Sequence, residues 1–180
     1  MIRCQPILIG ILSTLALVTT SVGAAVTVRF VDPDSFTDIG DFEQDPRDTL
    51  FEIDQYLKGL GNRYLSPQTT LRIDVLDISL AGRPCWPQRT NSIVRVMTGE
   101  ADWPRIELRY TLESNGATSK PVDEKVVDTV YLRRLEWRYA SVSLPYEKRM
   151  LDEWFRARFV EPSRDKAEIH AAAMAIAERE

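Results

Sequence analysis

Acidic side chains crowd one stretch of this 180-residue chain: Asp32, Asp34, Asp38, Asp41, Glu43 and Asp45. Carboxylates on flexible backbone suit a hard cation, because calcium takes roughly six to eight oxygen ligands. Asp32, Asp34, Asp38 and Asp41 are therefore candidate calcium ligands. The spacing is not that of an EF-hand: a loop starting at Asp32 places Phe36 at its third ligand position and Thr37 where the turn needs glycine. The plainer reading is a solvated loop whose last acid, Asp45, caps a helix. A second set of acids comprises Asp74 and Asp77, then Asp123, Glu124 and Asp128. Two carboxyls facing each other across a cleft can cleave a glycosidic bond. Positions along a chain do not give that separation, and most acids are simply hydrated surface.

Arginines interleave with aromatics in "YLRRLEWRYASVSLPYEKR", where Arg133, Arg134 and Arg138 alternate with Tyr131, Trp137 and Tyr139. Guanidinium groups beside aromatic rings suit anions, glycans or an acidic patch on a partner. In "ADWPRIELRY", Trp103, Arg105 and Arg109 offer the same chemistry. The candidate binding residues are thus Trp103, Arg105, Arg109, Arg133, Arg134, Trp137 and Arg138. The competing reading packs the aromatics under a helix and leaves the arginines in water.

Other chemistries lack their residues. The single histidine, His170, sits near the C-terminus, away from the other candidate groups, so a Ser–His–Asp or Cys–His site has little to build on. One histidine and two cysteines exclude histidine-based and four-cysteine metal sites. No glycine-rich phosphate loop or nucleophile elbow occurs. No catalytic residue and no cofactor is assigned.

The elements that must position these groups follow an export leader. "MIRCQP" carries one charge, "ILIGILSTLALV" is uncharged and apolar, and "TTSVGAA" has the small residues a signal peptidase accepts. The apolar run is shorter than the roughly 20 residues of a membrane span. Cleavage after Ala24 is expected, with no stable span afterwards and a periplasmic or secreted product. Losing the leader removes Arg3 and no acid, so the net charge moves from −4 to −5. An acidic chain without a basic tail is a poor partner for nucleic acid, whose binding rests on phosphate neutralisation. Only Cys85 survives cleavage, so no internal disulfide forms; between two prolines, it reads as a loop cysteine.

Periodicity supplies the rest. "VTVRFV" alternates as a first strand. Leu50, Ile53, Leu57, Leu60 and Tyr64 recur at helical spacing, with Pro46 in the first turn and Gly59 and Gly61 weakening the end. "TTLRIDVLDISLAG" changes phase after Val75, which predicts either burial on both faces or a bulge. "SIVRVM" is a short optional strand, and "RIELRYTL" and "VDEKVVDTVYL" are two more. A two-residue turn on Asn115-Gly116 would set Leu108 opposite Asp123, so a longer loop is expected there. Tyr146, Met150, Leu151, Trp154, Phe155 and Phe159 stripe a helix that Ser143 can cap, with Asp152 and Arg156 as an exposed pair. An alanine-rich helix follows Pro162. The expected organisation is a leader over 1–24, one domain over 25–160 and a helical tail over 161–180. The fold class is α+β: a two-layer sandwich with a mixed or mainly antiparallel sheet of four to five strands and helices on one face. The order is β-α-β-(β)-β-β-α plus a C-terminal helix. Arg105, Glu107 and Arg109 then belong to the open face.

"ADWPRIELRYTL", with "YEKRMLDEWFRARF" and "FTDIGDFEQDP", resembles a family of bacterial exported proteins known as domain of unknown function 3016. The resemblance runs from Val26 to Phe159 and is carried chiefly by Trp103-Pro104-Arg105 and the helix from Tyr146 to Phe155. It implies export, a single small domain and no known activity, and it supplies no catalytic residues. It has no firm pattern at "GRPCWPQRT" or in the tail after Pro162, so Cys85 and His170 gain no role from it. The expected function is that of a non-catalytic exported binding protein of the cell envelope, whose partner is an envelope protein or a cell-wall component. The alternatives are a carboxylate-dependent hydrolase of envelope glycan or peptide, and a calcium or small-ligand binder.

Overall fold

Strict alternation makes β1 (Ala25–Phe30), with Val26, Val28 and Phe30 turned inward. The structure, a computed structural model, describes residues 24–40, 45–86, 94–133, 139 and 141–160. The leader up to residue 23 and the expected helix over 161–180 lie outside the described residues. After β1 the chain makes a 3₁₀ turn (Pro33–Ser35) and enters α1 (Pro46–Tyr64). Asp45 caps α1 by accepting from Arg47 N at 2.8 Å, and Pro46 needs no partner for its missing N–H. Both glycines are helical, so α1 runs past the expected end to Tyr64. It crosses back to β2 (Thr69–Ser79), which pairs in parallel with β1 from Ala25↔Thr70 to Phe30↔Val75.

The phase change in β2 is a bulge. Val75 faces Leu108 and Asp77 faces Glu107, so Leu76 is the extra residue. Ile78 and Leu80 thereby rejoin Leu71, Ile73 and Val75 in the core. Next comes a separate antiparallel ribbon, β3 (Arg83–Cys85) with β4 (Val94–Val96). The optional strand is thus real but stands outside the main sheet, and Cys85 ends a strand rather than lying in a loop.

β5 (Arg105–Ser114), β6 (Ala117–Thr118) and β7 (Val122–Val127) complete a five-stranded mixed sheet of order β1-β2-β5, in which β6 and β7 both pair with β5. The longer loop expected at Asn115-Gly116 does not form. Both residues take positive φ, 52° and 77°, and close a two-residue turn with Ser114 opposite Ala117. The register problem is solved further on. Ser119 N donates to Leu112 O, and Leu112 N donates to Ser119 Oγ instead of to a carbonyl. Lys120 and Pro121 then share the space opposite Thr111, and Tyr110 meets Val122. The shift by one residue puts Asp123 opposite Arg109, and it puts Val126 opposite Ile106 in the core.

α2 (Pro145–Phe155) ends in a π-helical turn (Arg156–Val160). Its N-cap is Leu144 in the left-handed region, φ 52°, with no side-chain cap, so Ser143 does not take that role. Both helices cover one face of the sheet. Ile53, Leu57 and Leu60 of α1 and Met150, Leu151, Trp154 and Phe155 of α2 meet the inward residues of β2, β5 and β7. Asp152 departs from the expected exposed pair with Arg156. It is buried toward α1, where the Tyr64 hydroxyl donates to it at 3.3 Å and Arg63 stands 3.9 Å away.

Candidate functional site

The uncovered sheet face is a lattice of opposite charges. Arg29, Asp74, Arg109 and Asp123 stand directly opposite one another on β1, β2, β5 and β7. Arg29 grips Asp74 with two hydrogen bonds of 2.8 Å, and Arg109 grips Asp123 at 2.5 and 3.0 Å. In the adjoining row Lys125 pairs with Glu107 at 3.0 Å and Arg105 with Asp77 at 3.1 Å. Hydrogen bonds from Arg29 and from Arg109 hold Asp74 and Asp123 below the usual carboxylate range. Burial pushes Asp77 upward, but donation from Thr37 N, Thr37 Oγ1 and Arg105 outweighs it and leaves the net shift downward.

All five strand acids that could have formed a hydrolytic pair have a cationic partner. Beyond the three on the open face, Arg158 holds Glu124 with Nε at 2.9 Å, and Arg149, fully buried, pairs with Asp128 and with Glu153. A carboxyl that serves as general acid near neutral pH needs a raised pKa, and a guanidinium neighbour moves it the other way. Among the described carboxyls Glu147 is raised. Burial pushes it up, while donation from Ala81 N at 2.7 Å pulls it partly back. It is sealed beneath the end of β2 rather than facing a cleft.

A different surface lies at the end of the sheet where the β3–β4 ribbon, the loop over 97–104 and the 3₁₀ turn Tyr131–Arg133 meet. Two polar clusters, one around the buried Asp102 and Tyr131 and one a half-buried ion pair, hold this end in shape. Asp102 accepts from Thr98 N at 2.6 Å, from Thr98 Oγ1 at 2.9 Å and from the Tyr131 hydroxyl at 3.0 Å. Burial and the Asp102 bond push the Tyr131 hydroxyl up to about 12. Arg95 clamps Asp38 at 2.8 and 2.9 Å and also reaches the carbonyls of Ala81 and Gly82. Backbone approach is tight here, since a Cβ on Gly82, whose φ is +79°, would meet Val96 O at 2.8 Å. On this fixed support Trp86, Val94, Val96, Met97 and Leu132 are exposed, Trp86 by 64% and the others by 37–42%. A Cβ on Gly99 would sit 3.1 Å from Leu132 Cδ1, so the loop over 97–104 joins the ribbon to the 131–133 turn. Arg83 and Arg133 are exposed at the same end.

The residues singled out from the sequence fall into separate places. Arg105 and Arg109 belong to the charge lattice. Trp103 is half-buried beside Asp102, and Arg133 is at the ribbon end. Arg134, Trp137 and Arg138 lie outside the described residues. The described acids among those offered for calcium do not gather into one group. Asp38 is taken by Arg95, Asp32 and Asp34 lie in and beside a 3₁₀ turn, and Asp41 lies outside the described residues. Among the described residues no group of three metal-ligating side chains gathers, and Asp38, held by a bidentate guanidinium, has little left for a cation. Sequence reasoning missed Val94, Val96, Met97 and Leu132. The one signal available was a short apolar run too polar around it to be core.

The chain belongs to the family described as Protein of unknown function (DUF3016), whose model matches residues 24–157. Neither the curated proteins nor the solved structures give a match. Among the described residues no helix is long and apolar enough to cross a membrane.

Proposed function

We propose that this protein works by recognition rather than turnover. It is an exported, periplasmic protein that docks a partner of the bacterial envelope against the ribbon end. The partner chemistry that fits is a protein surface with apolar side chains ringed by carboxylates, matching the five exposed apolar residues and the flanking Arg83 and Arg133. The observation that carries this reading is the contrast between exposure and support. Apolar groups face solvent there, yet the backbone beneath them is fixed by the Asp102–Thr98–Tyr131 cluster and the half-buried Asp38–Arg95 pair. A preorganised apolar patch saves ordering entropy on binding. The carboxylate-hydrolase alternative is disfavoured by the arginine held against each candidate acid, and the calcium alternative by the Asp38–Arg95 clamp. The test is in-cell photocrosslinking from position 97 or 132, followed by identification of the captured protein. A Val96→Asp, Leu132→Asp variant should lose that capture while keeping its melting temperature. Turnover of muropeptides by the purified protein would overturn the reading.

A further inference from the structure

The outer edge of β7 has no strand partner among the described residues. We propose that it pairs with β7 of a second copy of this chain, antiparallel, about a two-fold axis at Glu124. Asp128 N donates inward to Pro104 O, so by alternation the even residues of β7 bond to β5 and the odd ones turn their N–H and C=O outward. Two copies must therefore set odd residues against odd. Three registers near the strand centre do so. One places Asp123 opposite Asp123, and another places Lys125 opposite Lys125. The third places Asp123 opposite Lys125 twice, with Glu124 meeting its own copy on the axis. Charge selects the third, because like charges directly opposite destabilise a ladder and opposite ones support it.

That register also fits its surroundings. The row Arg29–Asp74–Arg109–Asp123 would run on into Lys125 and Glu107 of the second copy, so the alternation of sign crosses the junction unbroken. On the helix face Val122 of one copy comes opposite Val126 of the other. It enters the groove between β7 and α2 that Val126, Met150, Trp154 and Ala157 line. Val122 is 40% exposed in the single chain, and this covers it. The two axial glutamates are each held by an Arg158, which leaves a neutral cluster rather than two bare charges. Pro121 would lie opposite Val127 and has no N–H to offer, so the new ladder stops there.

Sedimentation velocity on the purified chain, from low to high micromolar concentration, should show a monomer–dimer equilibrium that Lys125→Glu weakens about ten-fold or more. Register is read separately by oxidation in a Cys4→Ser, Cys85→Ser background. Glu124→Cys should form a disulfide dimer, because directly opposite Cβ atoms at a non-hydrogen-bonded pair lie about 4.5–5.5 Å apart. Lys125→Cys should not, since its own copy is then a diagonal neighbour roughly 7–8 Å away. Circular dichroism confirms that each variant is folded. A monomer at every concentration, or crosslinking through Lys125→Cys in place of Glu124→Cys, would overturn the proposal. Neither result bears on the ribbon-end surface, which lies elsewhere on the molecule.

Discussion

Gly59 and Gly61 sit two residues apart, on opposite sides of α1 and in opposite environments, and exchanging each for alanine should change stability in opposite directions. A Cβ built on Gly59 meets nothing within 4 Å. Gly59→Ala should therefore gain most of the helix-propensity difference, up to about 1 kcal/mol. A Cβ on Gly61 would stand 2.0 Å from Val26 Cγ2 and 3.3 Å from Val26 Cβ. Carbon contacts relax at about 3.5–4.0 Å, so helix and strand would have to part by roughly 1.5–2 Å. Val26 cannot swing clear, since its branched Cβ is itself close and its χ1 is stiff. Overpacking of this kind costs about 1–3 kcal/mol, which exceeds the propensity gain. Gly61→Ala should be net destabilising by about 1–2 kcal/mol, which is a fall in Tm of roughly 2–8 °C in a chain this size. Urea unfolding followed by circular dichroism measures both variants. Combining Gly61→Ala with Val26→Ala should recover at least about 0.5 kcal/mol relative to additivity. Equal effects of the two glycine substitutions, or strict additivity with Val26→Ala, would refute the close approach of α1 to β1.

Two further outcomes concern buried charge. Glu147 has a folded pKa above its ordinary 4.5, so the native state favours the protonated form, and stability from this group is greatest below about 4.5 and falls as pH rises through the folded value. Glu147→Gln keeps an oxygen for Ala81 N and cannot ionise; its Tm advantage over the native chain should grow with pH across that window and then level, and a constant offset from pH 4 to 8 would contradict this. Arg149→Leu strands Asp128 in the core and should cost about 3–5 kcal/mol in urea unfolding, whereas Arg149→Leu with Asp128→Leu should recover much of that loss.

Much of the architecture was legible because it rests on period. Alternation in "VTVRFV" and "RIELRYTL" placed β1 and β5, and helical spacing placed α1 and α2 with their core faces. The phase slip after Val75 announced the bulge at Leu76. The Asn115-Gly116 turn was not legible, because one register does not hold along the whole hairpin; Ser119 supplies a side-chain oxygen where a backbone carbonyl would stand, and nothing in the local pattern shows that substitution. The buried charges of α2 were equally hidden. Glu147, Arg149 and Asp152 look like surface residues on a helical wheel, and the groups that satisfy Glu147 and Arg149 are Ala81 N and Asp128, far away in sequence. The candidate site followed the same rule. Arginines drew notice as ligand-binding groups, yet the carboxylates that occupy Arg105 and Arg109 come from other strands, and register alone brings them there.

The three residues Ser119, Lys120 and Pro121 set parity for everything downstream. With one residue fewer, Asp123 and Lys125 would turn toward the helices while Val122 and Val126 turned to water, even though the sequence of the last strand had not changed. A tolerated deletion or insertion in this segment should therefore always come as a pair, and single-residue length changes there should be among the least forgiving in the chain, although every atom involved is at the surface.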